Sequence, residues 1–223
     1  MQAVASKLRA GLTELELALS DAQIAALLDY LALIQKWTKV YNLTAVRDPD
    51  EMLTHHLLDS LVVIAPLRRQ LSGLGLHAEE GPALRLLDVG TGAGLPGVVI
   101  AICCPDIQVD CVDTVGKKAA FIQQVSVTLK LPNLRGVHAR VESLTDKYHV
   151  ISSRAFASLL DFTNWSIKAL AEQGIWMAMK GKHPADEMAA LPSGVDVFHV
   201  EQLVVPGLDA ERCIVWMRPA AGG

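Results

Sequence analysis

The feature that most constrains the fold is a glycine-rich segment directly after an apolar run. Residues 84–89 read LRLLDV and residues 90–97 read GTGAGLPG, so four glycines fall within eight positions. A short apolar run bounded by glycine is typical of a buried strand, and glycine lets the backbone adopt positive φ and approach a ligand closely. With the helix predicted over 95–103, the segment indicates a strand–loop–helix unit of the kind that binds nucleotide-like cofactors. A tight turn without a ligand is the less favoured interpretation.

Strand-like and helix-like segments alternate through the rest of the chain. A second helix is predicted over 117–129, and no helix is predicted between the last two strands. Such alternation favours a parallel, doubly wound sheet, and two strands without an intervening helix should form a hairpin. We therefore predict an α/β fold with a doubly wound, mostly parallel seven-stranded sheet and a C-terminal antiparallel hairpin. The predicted strands are 84–89, 109–113, 134–138, 150–153, 175–180, 195–203 and 212–218.

The N-terminal part should be helical. A helix is predicted from Ser20 onward, because apolar residues recur there at helical spacing, and a second is predicted over 52–71. The segment 72–82 is rich in glycine and ends in Gly-Pro, which indicates a connection. We therefore predict an N-terminal helical extension over 1–82 and a main domain over 83–223.

The composition excludes some classes of protein. Apolar residues make up 51% of the 223 residues, too many for a disordered chain, and the net charge of −4 argues mildly against a nucleic-acid substrate. A local basic face would still be compatible with RNA. No apolar run reaches the ~18 residues that span a bilayer, so we expect a cytoplasmic protein. None of the four cysteines has zinc-binding spacing, and we expect buried thiols at Cys103, Cys104, Cys111 and Cys213.

Two cofactors fit the spacing of the glycine loop. Gly92, Gly94 and Gly97 satisfy the dinucleotide fingerprint G-x-G-x-x-G. Asp113 follows Gly94 at the distance expected for an acid that binds ribose hydroxyls. Spacing alone does not separate NAD from S-adenosylmethionine, and a surface acid is the alternative for Asp113.

Charge favours S-adenosylmethionine. A dinucleotide places a pyrophosphate at the helix N-terminus, where Asp88 would repel it. S-adenosylmethionine carries an ammonium and a sulfonium instead, and Asp88 suits those cations. Pro96 also removes a backbone N–H that a pyrophosphate would use. We therefore predict a methyltransferase.

Seven motifs are spread in order along nearly the whole chain. They are YNLTA (41–45), HLLDS (56–60), LLDVGTGAGLPGVVIAI (86–102), VDTVGKK (112–118), ARVE (139–142), SRAFA (153–157) and MKG (179–181). These motifs resemble those of the bacterial 16S ribosomal RNA guanine-N7 methyltransferases, also called glucose-inhibited division protein B. The loop alone is moderately specific, whereas the combination of GLPG, SRAFA and the N-terminal YNLTA is highly specific.

The resemblance implies a Rossmann-like methyltransferase fold, S-adenosylmethionine as cofactor and a guanine N7 in 16S ribosomal RNA as acceptor. It places Asp113 on the ribose hydroxyls, and Val141 and Glu142 at the border of the adenine. It places Arg154 at the end of the fourth strand, against cofactor and substrate. Together with the loop argument, it gives these predicted cofactor-binding residues: Asp88, Gly90, Gly92, Gly94, Leu95, Asp113, Val141, Glu142 and Arg154.

The predicted end of the fourth strand agrees with a ring-nitrogen acceptor. Guanine N7 offers a lone pair and no proton, so its methylation needs no general base. Adenine amino methyltransferases place Asp/Asn-Pro-Pro-Tyr/Phe at this position and cytosine-C5 enzymes need a cysteine, whereas residues 152–156 read SSRAF. No histidine is obviously poised there as a general base, and we interpret His138 and His149 as strand-end residues. Arg154 is the one catalytic candidate.

Four residues are predicted to contact RNA. Arg140, Lys180 and Lys182 follow predicted strands and would bind phosphates, and Phe156 would stack on a base. Scattered solvated cations and ordinary core packing are about equally good interpretations. The same basic face would be extended by N-terminal residues, namely Lys36, Lys39, Arg47, His55 and His56.

The expected partner is 16S ribosomal RNA or the small ribosomal subunit, and we expect a monomer without metal or membrane attachment. A methyltransferase acting on a protein or small molecule remains an alternative with the same fold. An NAD-dependent oxidoreductase and a non-catalytic RNA-binding module are alternatives of other classes.

Overall fold

A seven-stranded sheet organises the molecule, of which a computed structural model describes residues 2–41, 43–75 and 84–220. The strand order is β3-β2-β1-β4-β5-β7-β6. The first five strands pair in parallel, whereas β7 is antiparallel to both β5 and β6. The predicted fold class and C-terminal hairpin are confirmed. The strands are β1 Leu84–Val89, β2 Ile107–Asp113, β3 Leu134–His138, β4 Tyr148–Arg154, β5 Leu170–Lys180, β6 Val195–Leu203 and β7 Arg212–Pro219.

Helices cover both faces of the sheet. The N-terminal part is helical as predicted, although the helix predicted over 52–71 is broken by a π-helical turn over Leu53–Leu58. The sequence interpretation missed α8, whose first turn is capped by the Ser158 hydroxyl accepting from the Asp161 amide. The helices are α1 Gln2–Glu14, α2 Asp21–Tyr41, α3 Pro49–Met52, α4 Asp59–Leu61, α5 Ile64–Gly73, α6 Gly97–Cys103, α7 Gly116–Thr128, α8 Leu159–Ser166 and α9 Ala185–Ala189.

Two apolar clusters flank the sheet. The larger joins buried residues of the N-terminal helices, such as Leu27 and Leu57, to α6 and to the sheet residue Trp216. The smaller lies under α8 on the opposite face and includes Phe162 and Trp176. The predicted boundary between residues 82 and 83 falls in 76–83, outside the described residues, so the division into two domains stays a prediction.

The five parallel strands end at one edge of the sheet, which we call the carboxyl edge. Ligands of open parallel sheets bind beyond such an edge, where the strand-to-helix loops converge. The four cysteines are buried free thiols, which confirms their interpretation. Among the described residues, no helix has the length and apolar character needed to cross a membrane.

Candidate functional site

Two neighbouring cavities open at the carboxyl edge, with volumes of about 500 and 440 Å³. Gly90 and Ala155 line both, so the glycine loop and the end of β4 separate them. These volumes suit a small cofactor and part of an acceptor. The first cavity is lined by Leu43, Thr44, His55, His56, Asp59, Gly90, Thr91, Gly92, Ala93, Leu95, Arg154, Ala155, Met179, Lys180, Gly181 and Arg212. The second is lined by Val89, Gly90, Val112, Asp113, Thr114, Val115, Lys118, Ala139, Arg140, Val141, Glu142, Ala155, Phe156 and Trp165.

The glycine loop adopts the backbone conformation that its sequence predicts. Gly90, Gly92 and Gly94 have φ of +65°, +60° and +93°, values that other residues rarely adopt. The buried Tyr30 hydroxyl of α2 donates to the Ala93 carbonyl oxygen at 2.6 Å. The N-terminal part therefore fixes the loop directly, which the sequence interpretation missed.

Asp88 supports the loop from beneath. Its side chain is completely buried and lines neither cavity. One oxygen accepts from the Thr91 hydroxyl at 2.6 Å and the Gly97 amide at 3.1 Å, and the other accepts from the Ser152 hydroxyl at 2.8 Å. Burial raises the pKa of the Asp88 carboxyl, while these hydrogen bonds oppose the shift. The predicted direct contact with a cofactor cation is therefore replaced by a structural role in shaping the loop.

Asp113 ends β2 at the second cavity. One carboxylate oxygen accepts from the Gly92 amide at 3.1 Å, and the other accepts from the Val115 amide at 2.9 Å. Lys118 lies 3.5 Å from the carboxylate. Each oxygen has a second lone pair, so the carboxylate keeps acceptor capacity for a ligand. The structure brings Asp113 together with the other two residues predicted on the adenosine side, Val141 and Glu142.

Two of the residues predicted to contact RNA lie at the second cavity instead of a separate basic face. Arg140 lines it beside Val141. The Phe156 ring packs so closely on Gly90 that a Cβ there would lie 2.0 Å from the ring, and its centroid is 5.8 Å from that of Trp165. Phe156 therefore forms part of the wall of the second cavity in this structure.

A buried carboxylate ties two arginines together at the first cavity. Asp59 accepts from Arg154 Nη1 at 2.7 Å with one oxygen and from Arg212 Nε at 2.7 Å with the other. Arg154 Nη1 also donates to the His55 carbonyl oxygen at 2.9 Å. Arg154 thus lies at the predicted position, and its described hydrogen bonds use one nitrogen only. Sequence reasoning missed Arg212, because nothing in the local pattern of β7 shows that it faces the end of β4.

Two histidines lie at the first cavity, and both are residues predicted from sequence to extend the basic face. His55 and His56 line the cavity, and His56 Nε2 is 2.9 Å from the Thr44 hydroxyl. Burial, reinforced by the nearby Arg154 charge, lowers the pKa of His56 to about 4. His56 is therefore neutral at physiological pH.

The two histidines considered from sequence are placed away from the first cavity. His138 is exposed at the end of β3, where its Nε2 is 3.1 Å from the Thr114 carbonyl oxygen. His149 lies near the amino end of β4, at the opposite edge of the sheet, and its Nδ1 accepts from the Arg85 amide at 3.1 Å. Neither of them lines the first or the second cavity.

The predicted cluster of cations beyond the strand ends is dispersed. Lys180 lines the first cavity, but its ammonium donates to the Glu187 carboxylate at 2.8 Å and to the Ala157 carbonyl oxygen at 3.0 Å. Lys182 is exposed and lines neither cavity. Because Arg154 and Lys180 are both neutralised by carboxylates, they attract phosphate less than free cations would.

Solved methyltransferases share this fold at low sequence identity. TrmN from Thermus thermophilus superposes with a TM-score of 0.53 and 18% identity, covering 75% of this chain and 53% of that chain. A SAM dependent methyltransferase from Aquifex aeolicus gives a TM-score of 0.51 and 17% identity, covering 78% of this chain and 99% of that chain.

Relatives of much higher identity cover nearly the whole chain. The protein named ribosomal RNA small subunit methyltransferase G of Albidiferax ferrireducens is 70% identical over 99% of this chain and 100% of its own length. The protein of the same name from Polaromonas naphthalenivorans is 66% identical over 99% of this chain and 98% of its own length. The sequence profile of the GidB family, described as rRNA small subunit methyltransferase G, matches residues 23–215. The chain therefore belongs to the rRNA small subunit methyltransferase G family of enzymes.

Proposed function

We propose that this protein transfers the methyl group of S-adenosylmethionine to N7 of a guanine in 16S ribosomal RNA. Family membership supports the reaction and the RNA class. The observation that carries the proposal is the pair of cavities joined at Gly90 and Ala155. One of them holds an acid suited to ribose, and the other holds an arginine fixed by a buried carboxylate. The substrate is the free RNA or the small ribosomal subunit.

The second cavity fits an adenosine group. Asp113 retains lone pairs for the ribose hydroxyls, and Val141 and Glu142 border the space for adenine. Gly92 and Leu95 line the first cavity next to the shared loop, where they would contact the methionine part. When bound, S-adenosylmethionine supplies an electrophilic methyl group on its sulfonium.

The acceptor side needs positioning more than acid–base chemistry. Guanine N7 presents an in-plane lone pair, so the side chains of the first cavity must hold the base in line without removing a proton. Arg154 is our candidate for this contact, because it lines the cavity and its guanidinium is held by Asp59. Neutral His56 fits the same role, since it places no competing positive charge beside the methyl donor.

The experiment is methyl transfer into unmodified small ribosomal subunits with radiolabelled S-adenosylmethionine, followed by mass spectrometry of the digested RNA. We expect the label on a guanine N7 of 16S RNA. Asp113→Asn should weaken S-adenosylhomocysteine binding by about 10-fold or more, since a hydrogen bond to a charged group contributes about 1.5–3 kcal/mol. The matched control is Asp196→Asn, which removes an exposed carboxylate paired with Arg218 on the outer hairpin.

Other results would identify the alternatives. Label in protein, on an exocyclic amine or on a ring carbon would overturn the proposed acceptor. Tight binding of NADH without binding of S-adenosylhomocysteine would favour an oxidoreductase. Unchanged S-adenosylhomocysteine affinity in Asp113→Asn would remove this carboxylate from the cofactor site.

A further inference from the structure

Ion pairs with carboxylates neutralise most arginines of this protein, so few of its arginines are available to bind phosphate. Carboxylates within 4 Å hold arginines on the N-terminal helices and on strands of the sheet, namely Arg9, Arg68, Arg69, Arg85, Arg135, Arg154, Arg212 and Arg218. With a net charge of −4, the protein cannot attract RNA through its overall charge. An RNA-binding surface must therefore consist of cations that no carboxylate neutralises.

Such cations occur beside exposed aromatic surface where α2 ends and α7 begins. Lys36 and Lys117 are exposed and have no acidic partner in the described part of the chain. Tyr41 is 43% exposed, and the Lys117 ammonium lies 5.9 Å from its ring centroid. Val40, one helical turn after Lys36, is 69% exposed. An apolar residue and an aromatic ring are thus presented to solvent between two free ammonium groups.

The aromatic part of this surface is rigidly supported. Trp37 lies one turn before Tyr41, and their ring centroids are 5.1 Å apart. Trp37 in turn packs on Phe121 of α7, with centroids 5.2 Å apart. The Tyr41 ring is therefore held by tilted ring contacts that reach the core, so little side-chain entropy would be lost when a ligand contacts it.

The surface lies next to both cavities. Leu43 and Thr44, which line the first cavity, follow Tyr41 within three residues, a span of at most about 11 Å. Val115 and Lys118, which line the second cavity, flank Lys117. A strand that delivers a base to the first cavity would pass this surface within a few nucleotides.

We propose that Lys36, Trp37, Val40, Tyr41 and Lys117 form a docking surface for the RNA strand that flanks the methylated guanine. The inference rests on the proposed function and adds the place where RNA is held. Free ammonium groups complement phosphates, and an exposed aromatic ring stacks on a base without reading its identity. The surface therefore supplies affinity, and the first cavity selects the nucleotide.

The test uses a double variant and a matched control. Lys36→Gln/Lys117→Gln removes two charges from the docking surface. Lys130→Gln/Lys168→Gln removes two exposed charges from the opposite edge, before β3 and β5 begin. Binding to unmodified small ribosomal subunits is measured over a range of salt concentrations, together with KM, kcat and S-adenosylhomocysteine affinity for each protein.

We expect the docking variant to raise KM for subunits about 10-fold, with kcat and S-adenosylhomocysteine affinity near those of the unaltered protein. Its log–log salt slope should become shallower by about 0.7 for each phosphate that an ammonium group no longer binds. Tyr41→Ala should also raise KM, and Tyr41→Phe should restore it because the stacking face remains. The control double variant should behave like the unaltered protein.

The outcomes separate this inference from the proposed function. If the unaltered protein methylates guanine N7 and the docking and control variants have equal KM and salt slopes, the docking surface is wrong and the function stands. If the unaltered protein methylates no RNA, the proposed function fails first, and equal subunit binding by all variants would reject the surface as well.

Discussion

At the scale of single residues, Gly92 and Gly94 both have positive φ but differ in the space available for a side chain. A Cβ on Gly92 would meet no protein atom within 4 Å, whereas a Cβ on Gly94 would lie 2.5 Å from Val98 Cγ2 and 3.1 Å from the Tyr30 hydroxyl. Gly92→Ala should therefore cost only the strain of a left-handed residue, about 1–2 kcal/mol, and should weaken S-adenosylhomocysteine binding about 10-fold. Gly94→Ala should lose more stability.

Thermal unfolding and calorimetric titration of both variants check this expectation. A folded Gly92→Ala protein with unchanged affinity would show that the loop is a turn without a ligand. Similar melting temperatures for the two variants would contradict the difference in packing at these positions.

His56 should make stability depend on pH. Its pKa is lowered from 6.5 to about 4 by burial, so between these values the unfolded chain binds a proton that the folded protein does not. The stability linked to neutral His56 is fully present above about pH 6.5, and it is lost as the pH falls toward 4. It should amount to about 2 kcal/mol between pH 7.5 and 5. Urea unfolding at both pH values should show that His56→Gln loses less unfolding free energy between pH 7.5 and 5 than the unaltered protein does. An identical loss in the two proteins would mean that another group is responsible.

The lowered pKa of His56 also predicts how the rate of methyl transfer depends on pH. Neutral His56 does not titrate between pH 6 and 8, and guanine N7 has no proton to lose, so single-turnover methyl transfer should be nearly flat over this range. Rates are measured with saturating subunits. A steep rise with an apparent pKa near 6.5 that disappears in His56→Gln, His138→Gln or His149→Gln would contradict a base-free mechanism.

At the scale of elements, Asp59 connects α4 to the ends of β4 and β7. Its carboxylate is buried, while the side chains of Arg154 and Arg212 are about one-fifth exposed. Asp59→Asn should destabilise the fold by about 2–3 kcal/mol, somewhat less than the loss of one partner in a fully buried pair. Asp196→Asn breaks an exposed pair and should cost at most about 1 kcal/mol in the same urea titration. Equal losses would mean that Asp59 does not couple these elements.

Local sequence patterns predicted the sheet because most strands carry an apolar or alternating segment of their own, such as LRLLDV in β1 and VDVFHV in β6. The glycine loop was likewise predictable, since its positive φ values require glycine within one short segment. Helix α8 was missed because its few apolar residues, among them Leu159 and Phe162, do not form a long periodic pattern. The π-helical turn at Leu53–Leu58 has no local sequence signal of comparable strength.

The first cavity was harder to predict because residues far apart in sequence build it. Asp59 contacts Arg154 and Arg212 across 95 and 153 positions. Adjacent histidines such as His55 and His56 carry no local sign that α4 and its π-helical turn bring them to the strand ends. Spacing and family resemblance both singled out Asp113, which lines the second cavity, but only packing shows that Asp88 is hidden beneath the loop.

At the scale of the whole molecule, the N-terminal helices and the sheet share one apolar core. Leu8 and Leu27 belong to the same buried cluster as Val98 of α6 and Ile214 of β7. Elements on both sides of the predicted 82/83 boundary would therefore expose apolar surface if they separated, at about 25 cal/mol for each Å². The two predicted domains should consequently unfold together.

Calorimetry tests this cooperativity. We expect one transition whose calorimetric and van't Hoff enthalpies agree, because loss of the N-terminal helices would uncover α6 and leave the Ala93 carbonyl oxygen without its Tyr30 donor. Tyr30→Phe removes only that hydrogen bond, so it should lower the stability of the whole protein by about 1–3 kcal/mol without splitting the transition. Two resolved transitions, or a stable fragment beginning at residue 84 that binds S-adenosylhomocysteine normally, would show that the helical part is an independent domain.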